Sequence, residues 1–481
     1  VPHRVPDLAE IASVHLLGIG GTAMAAFAGM LKDAGLRVTG SDAAVYPPMS
    51  DVLAALGIDV MKGYEAANLA HHPDLAVVGN VIRATYPEAE ALVASDIAYC
   101  SFPEALGRLF LGDTHNVVVA GTHGKTTITA LVAWLCTSAG LDPGFLIGGV
   151  ARNLDRTARR GSGSVFVVEG DEYDTAFFDK RPKFVHYRPT TAILTSVEFD
   201  HADIYRDLAH VEESFRMLVD LVPAEGTLIV RGDDPHALGV AHGAKGAVWT
   251  YGPGQRFDGR TEAVDTRRGT ATFTVLRDGE PLGTFESSLV GEHNLYNQVA
   301  ATAAALAAGV PVEALATGFA SFAGIKRRQE IVGEPGGVTV VDDFAHHPTA
   351  VRVTLAALRE RFGRRRLWAV WEPRSATSRR AVFQEQYAAS FDDADQVVVA
   401  RPFDQSRIDE ADRFDSDVLV RGLADRGVDA LALPDADTIA ATVAARAHPH
   451  DVVAILSNGG FDGLHGKLIA LLEERFGAPG G

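Results

Sequence analysis

The sequence predicts an α/β protein of three domains, on three observations. Apolar, strand-forming runs alternate with helix-like stretches along the whole chain, the rhythm of parallel sheets covered by helices. Two of these runs, SVHLLGIGG and NVVVAGTHGKTT, end in glycine loops that open helices, so the rhythm restarts partway along. The chain has 481 residues, too many for one hydrophobic core at roughly 150 residues per domain.

Within the first unit, SVHLLGIGG reads as strand and turn, the stretch to Ala34 as a helix stopped by Gly35, and LRVTGSD as a second strand. This is a Rossmann-like βαβ opening. DLAVVGN and IAYCS continue the strands and PEALGRLF closes the unit, giving a first domain at 1–112. The second starts with NVVVAGTHGKTT; Thr126 to Ala139 is expected as an amphipathic helix, with SVFVVE and TTAILTSV as buried parallel strands. Short alternating pieces such as TATFTVL make 246–291 an expected antiparallel appendage, before an alanine-rich helix from Leu295 to Ala308. GEPGG at 333–337 marks the next join, so the central phosphate-loop domain is expected at 113–332 and a third α/β domain at 333–481. VTVVDDF, RLWAVWEP, DQVVVARPF and DVVAILSNGG supply its strands.

The formal charge of −18, from 62 acidic against 44 basic residues, repels nucleic acid and anionic lipid, so phosphate must be held by a local site. No apolar run reaches the roughly 20 residues of a membrane span, and membrane insertion is not expected. Cys100 and Cys136 have no paired spacing, which argues against disulfides or a cysteine metal site and suits a reducing cytoplasm. VPHRVPDLAE lacks the apolar stretch of a secretory signal and reads as a leader to the first strand.

The chemistry centres on Gly121, Thr122, His123, Gly124, Lys125, Thr126 and Thr127, between an apolar strand and a helix. Backbone N–H groups and the helix dipole there cradle phosphate, Lys125 reaches the outer phosphates and Thr126 offers a magnesium ligand. Val119 stands where the full phosphate-loop pattern has its first glycine. Glu169 ends the strand SVFVVE, and AILTSV leads into Glu198, Asp200, His201 and Asp203. In a parallel sheet these ends share the phosphate loop's edge, where Glu169 suits a magnesium carboxylate and His201 a less usual nitrogen ligand. Solvated loops and helix caps are the bland reading of each acid alone. In the first unit, Gly18, Gly20 and Ala23 fit a dinucleotide-type fingerprint and Asp42 ends the second strand; the loop suits NAD or any other pyrophosphate, or plain helix–strand packing.

With GTHGKTT, VEGDEYD, EFDHAD, GEHNLYN, KRRQE and DDFAHHP in this order, nearly the whole chain resembles the Mur ligases, the ATP-dependent amide-forming enzymes of peptidoglycan assembly. The resemblance implies a UDP-sugar on the first domain, ATP on the second, and an incoming amine with the third closing over both. It reassigns Gly18, Gly20, Gly21, Ser41 and Asp42 from NAD to the UDP-sugar. It makes Lys125 the γ-phosphate ligand, Thr126 and Glu169 magnesium ligands and His201 a second-metal ligand. It places His293, Asn294, Asn297, Arg328 and Asp343 with ATP, and His347 with Asp343 on the third-domain loop that closes on the site. Without the family, Arg327 and Arg328 read as a solvated linker and His346 and His347 as a helix cap before Pro348.

Within the family, AVYPPMSDVL, FFDKRPKFVHY, WEPRSAT and LSNGGFDGLH look most like members that join UDP-N-acetylmuramate to the recycled tripeptide L-alanyl-γ-D-glutamyl-meso-diaminopimelate. Members joining L-alanine to the same sugar are the nearer alternative. The peptide would meet Arg374, whose fork can hold a carboxylate, and the turn at Ser457, Asn458 and Gly459. No lysine lies between Lys183 and Lys245, where several relatives carry a carbamylated one; ligases acting directly on UDP-N-acetylmuramate also lack it. The expected reaction is phosphorylation of the lactyl carboxylate by ATP with Mg2+, then attack of the amine on the acyl phosphate, with His201 and His347 as candidate bases. An NAD-dependent oxidoreductase would leave GTHGKTT and Glu169 without work, and a non-catalytic nucleotide-binding regulator would bind ATP without consuming it.

Overall fold

The computed structural model describes residues 5–46, 49–154 and 156–477. Residues 1–4 of the expected leader and residues 47–48 of AVYPPMSDVL lie outside them. Among the described residues the fold is the expected α/β architecture, with three main sheets.

The first sheet has five parallel strands in the order Val60–Lys62, Arg37–Asp42, Ser13–Leu17, Leu75–Val78 and Tyr99–Ser101. Ser13–Leu17, buried along its whole length, sits in the middle, and the chain winds outward from it on both sides. Its carboxyl end, with the Gly18–Gly21 turn leading to the helix Thr22–Asp33, is therefore a topological switch point.

The second sheet has ten strands, and the same logic recurs. His115–Ala120 lies between Val165–Glu169 and Thr191–Leu194, all parallel, so the loop at 121–124 opens at another switch point, beside the ends of both neighbours. The helix Lys125–Ser138 that follows is not amphipathic as expected. It is buried on nearly every face, because the helices Glu292–Ala307 and Val312–Ser321 cover the side turned from the sheet. The antiparallel appendage also starts later than 246. Ala247–Tyr251 pairs in parallel with Thr227–Arg231, and the meander begins only at Phe257–Asp265, continuing through Thr270–Arg277 and Glu280–Ser287. Ala247–Tyr251 is exposed at its start and buried only at Tyr251, unlike the parallel strand Thr191–Leu194, which is buried throughout, and this hides its parallel partner from the sequence.

In the third sheet the order is Glu330–Gly333, Thr339–Asp343, Val452–Leu456, Leu367–Trp371, Gln396–Ala400 and Asp429–Leu433, with only the first strand antiparallel. Glu330–Gly333 thus belongs to this sheet and precedes the join expected at 333; GEPGG is the turn of its hairpin, which reads as a boundary because it is rich in glycine. The link before it carries two non-glycine residues in the left-handed region, Arg327 at φ 61° and Gln329 at φ 49°. Side chains hold both: Glu330 Oε2 accepts from Arg327 N at 2.7 Å and Asp343 Oδ2 from Gln329 N at 2.8 Å. Arg327 Nη2 donates to the carbonyls of Ser457 at 2.6 Å and Gly459 at 2.7 Å, so the link is pinned to the third unit. Trp371, fully buried, packs tilted against Tyr387 and edge-on against Phe391 and Phe414 and gives the loop at 372–377 a rigid base. Both cysteines are free and buried, and no helix of the described residues is long and apolar enough to cross a membrane.

Candidate active site

The phosphate loop turns where only glycine fits. Gly121 has φ 124°, and a Cβ there would lie 2.7 Å from the Thr195 amide nitrogen; Gly124, at φ 81°, would push a Cβ to 2.6 Å from Asn297 Oδ1. Val119 is a strand residue paired with Ile193 and Glu169, so the chain turns two residues after the missing first glycine. Lys125, 8% exposed, extends Nζ to the Gly121 carbonyl at 2.6 Å and to both carboxylate oxygens of Glu172 at 2.9 and 3.1 Å. Burial alone would lower its pKa, but the carboxylates of Glu172, Asp171 and Glu169 outweigh this and raise it. Glu172 shows the converse: burial opposes its charge, yet Lys125 and His201 pull it down to about 2. Sequence reasoning singled out Glu169 and passed over Glu172, whose neighbour Lys125 is 47 positions away.

Thr126 Oγ1 donates to Glu169 Oε1 at 2.9 Å, and the Gly148 amide donates to Glu169 Oε2 at 2.8 Å. A Cβ at Gly148 would stand 2.7 Å from that oxygen, so the backbone is shaped around the carboxylate. Burial, then Asp171, raises the pKa of Glu169 against the pull of Lys125. A hydroxyl and an anionic carboxylate side by side are the hard oxygen donors magnesium takes, and the pair fits that ion. His201, at φ 55°, instead turns Nε2 toward Glu172 Oε1, 3.4 Å away, with Asp200 Oδ2 at 3.8 Å. Against the effect of burial, these two acids raise its pKa.

The residues expected around ATP and the closing loop meet at one cleft of about 1660 Å³, which the phosphate loop, Glu169, His201, His293, Asn294, Asn297, Arg328, Asp343 and His347 all line. Asn294 is buried and accepts from Asn297 Nδ2 at 3.3 Å, bracing the side chain beside Gly124. Burial, then Arg328, holds His293 down to about 4, a neutral ring. Arg328 stacks on Phe344 at 5.1 Å. Asp343 is enclosed and already accepts the amides of Gln329 and Ala345, each at 2.8 Å, so it shapes the loop around it. His347 caps the helix Pro348–Phe362, and its Nε2 lies 3.3 Å from the Phe199 carbonyl; burial, then His123, lowers its pKa to about 4.

The loop after Thr191–Leu194 is fastened to the third unit, which the sequence did not reveal. Thr349 Oγ1 donates to Glu198 Oε2 at 2.7 Å and Thr377 Oγ1 to Asp200 Oδ1 at 2.7 Å. Of the residues expected to meet peptide, Asn458 lines the cleft, its Oδ1 buried without a partner. Arg374 lies over Phe403 at 3.9 Å with Nη1 on Glu372 Oε1 at 3.2 Å. Ser457 is fully buried; its hydroxyl bonds Glu372 and accepts the Gly459 amide at 2.9 Å, so it orients the turn from within.

The first-domain residues sit apart from this cleft, which touches that unit through Thr22, Ala25 and Gly29. Asp42 accepts the Gly20 amide at 2.8 Å and, at 3.4 Å, the Tyr64 hydroxyl, whose ring stacks on Tyr86. Gly21 caps the helix with room beside it. Ser41 is fully enclosed, so it serves the loop through its carbonyl, which accepts from Gly18 at 2.9 Å and Ile19 at 3.1 Å.

A buried lysine, a hydroxyl and a carboxylate gathered at a switch-point loop, with a further α/β unit facing them, define a nucleotide-dependent enzyme of three units. The chain belongs to the Mur ligase family, whose members are ATP-dependent ligases. Its segments match the models "Mur ligase family, catalytic domain" over 13–114, "Mur ligase middle domain" over 119–305 and "Mur ligase, glutamate ligase domain" over 327–459. It is 41% identical to the UDP-N-acetylmuramate–L-alanyl-γ-D-glutamyl-meso-2,6-diaminoheptandioate ligase of Escherichia coli over 96% of this chain and 98% of that protein. A UDP-N-acetylmuramate–L-alanine ligase of Kineococcus radiotolerans is 36% identical over 98% of each. Among solved structures, a murein peptide ligase from Psychrobacter arcticus aligns with a TM-score of 0.69 and 35% identity over 96% of this chain and 98% of that one. Membership removes the NAD-dependent oxidoreductase reading of the first glycine loop.

Proposed function

We propose that the chain joins the lactyl carboxylate of UDP-N-acetylmuramate to the amine of L-alanyl-γ-D-glutamyl-meso-diaminopimelate, converting ATP to ADP and phosphate. The observation that carries the chemistry is the convergence of Lys125, Thr126 and Glu169 on the cleft that the third-unit loop at 343–347 also lines. The choice of peptide is supported by the near full-length identity to the Escherichia coli ligase.

A carboxylate is a poor acyl donor because oxide does not leave and its charge repels an amine; phosphorylation removes both obstacles. The lactyl carboxylate attacks the γ-phosphorus, and Lys125 with the loop amides stabilises charge on the transferring group. Magnesium, held by Thr126 and Glu169, would add positive charge against the phosphate oxygens. The amine then attacks the acyl phosphate and phosphate leaves. His347, neutral at physiological pH because of its burial, suits acceptance of the amine proton better than His201, whose acidic neighbours favour its charged form. Contacts of Thr349 and Thr377 with the loop at 198–200 hold the third unit over the reactants and keep water out. Arg374 and the turn at 457–459 receive the distal part of the peptide, with Glu372 orienting the guanidinium. The Gly18–Gly21 turn, braced by Asp42, holds the UDP moiety.

The test offers tripeptide and L-alanine in competition to the protein with ATP, magnesium and UDP-N-acetylmuramate, and identifies products by mass. The tripeptide adduct should dominate. A dominant L-alanine adduct would overturn the peptide assignment, and absence of ADP in every mixture would overturn the ligase assignment.

A further inference from the structure

We propose that His123, Glu198 and His347 form a binding site for a divalent transition-metal ion of the zinc class, separate from the magnesium position at Thr126 and Glu169. The three side chains come from three segments: the phosphate loop, the loop after Thr191–Leu194, and the loop leading into the helix Pro348–Phe362 of the third unit. One donor atom of each lies within 4.8 Å of the other two. His123 Nε2 is 3.5 Å and His347 Nδ1 3.7 Å from the same oxygen, Glu198 Oε2. A tetrahedral ion with bonds of about 2.0–2.1 Å keeps its donors about 3.3 Å apart, so both histidine–glutamate spacings already match such an ion to within a few tenths of an ångström, and the two imidazoles draw together onto it from a spacing of at most 4.8 Å.

Each donor is prepared for a metal in its own way. His123 Nε2 is shielded from solvent and has no hydrogen-bond partner, an orphaned nitrogen aimed at the other donors. The His347 ring is buried with Nε2 against the Phe199 carbonyl at 3.3 Å; an N–H donated there leaves the lone pair on Nδ1, the nitrogen that faces Glu198. Among the described residues only the Thr349 amide, also at a long 3.3 Å, donates toward that lone pair. Thr349 Oγ1 holds the Glu198 carboxylate at 2.7 Å, as an outer partner fixes a metal-bound carboxylate. Two imidazoles and one carboxylate select zinc over magnesium, whereas the oxygen pair at Thr126 and Glu169 has the opposite preference. Because His123 belongs to the phosphate loop and His347 to the third unit, an ion here staples the two together, and it occupies the Nδ1 lone pair that in the metal-free site takes the amine proton, so the stapled form is catalytically silent.

The site rests on geometry alone and is tested without substrates or turnover. Full-length protein is titrated with cobalt(II) alone, followed by visible absorption, then with zinc as competitor, and thermal melts are recorded with and without zinc. A tetrahedral cobalt spectrum, displaced by zinc at one ion per chain, is expected, together with a raised melting temperature. His123→Ala, on a partly exposed loop, and Glu198→Gln should each weaken binding at least about tenfold, while Glu169→Gln binds as the parent does; melts without metal verify that each variant is folded. Six-coordinate cobalt spectra, undiminished binding in His123→Ala, or loss of binding in Glu169→Gln would each overturn the site.

Discussion

Lys125 and Glu172 form a buried ion pair, with Nζ 2.9 Å from Oε2 inside the phosphate loop. The lysine that binds phosphate in the proposed mechanism is therefore also the counter-charge of an enclosed carboxylate. Replacing it has two separable consequences. Lys125→Ala should lower ligation by about 10²–10³-fold or more by deleting charge at the transferring phosphoryl group, and should cost about 3 kcal/mol of stability by stranding Glu172. Adding Glu172→Gln should restore much of the thermal stability and none of the activity. A single variant with the parent melting temperature would show that the pair is energetically idle.

Gly148→Ala probes the carboxylate from its backbone side. Its Cβ would fall 2.7 Å from Glu169 Oε2, and a flexible carboxylate yields at little cost to the fold. The displaced oxygen should nevertheless raise the magnesium needed for half-maximal ligation by about 10–100-fold, with the melt nearly unchanged. An unaltered magnesium dependence would remove Glu169 from the metal.

No lysine occurs between Lys183 and Lys245, the region where relatives carry a carbamylated one. Ligation in degassed buffer should match ligation with bicarbonate. Rescue by bicarbonate would mean that a lysine elsewhere in the chain has taken that part.

Asp451 ties the third unit together, accepting from Arg366 Nη2 at 2.6 Å, from the buried Trp368 Nε1 at 3.0 Å and from the His448 amide at 2.9 Å. Burial opposes its charge, but these donors lower its pKa below the ordinary value. Its contribution is therefore present above the ordinary carboxylate range and lost as pH falls through the depressed folded value, below roughly pH 4. Asp451→Asn should cost about 2 kcal/mol at neutral pH and flatten the acid limb of a stability profile followed by denaturant unfolding. Parallel acid limbs in variant and parent would refute it.

What the sequence made legible follows from how local each signal is. Gly121, Gly124, Lys125 and Thr126 occupy one strand–loop–helix, and Glu169 ends an apolar strand, so their shared edge follows from parallel-sheet geometry alone. Glu172, Thr349 and Thr377 are different: their partners lie 47 to 177 positions away, and nothing in their neighbours announces them. Asp42 was rightly placed at a strand end, yet its carboxylate braces the Gly20 amide. Ser41 and Ser457 were expected to meet the UDP-sugar and the peptide, but both side chains are enclosed: Ser457 is received by the Glu372 carboxylate, and Ser41 reaches its loop only through its carbonyl.

The left-handed link at Arg327 and Gln329 sets how the third unit can move. A free swivel would be built of glycine, letting the outer unit wander through many orientations that catalysis must then search. Here the joint is held by Glu330 and Asp343 and, through Arg327, by the turn at Ser457 and Gly459, all parts of the body that it carries. The third unit thus brings its own bearing with it: the link rides with the unit, while Ala323, Gly324 and Lys326 are held by Asn153, Arg152 and Val150 of the central unit, so bending falls to the short stretch at 326–327 where the two sets of anchors meet. Directed evolution seeking broader peptide tolerance has a natural target in that stretch, because lengthening or loosening it changes the approach of the outer body without touching any group that handles phosphate.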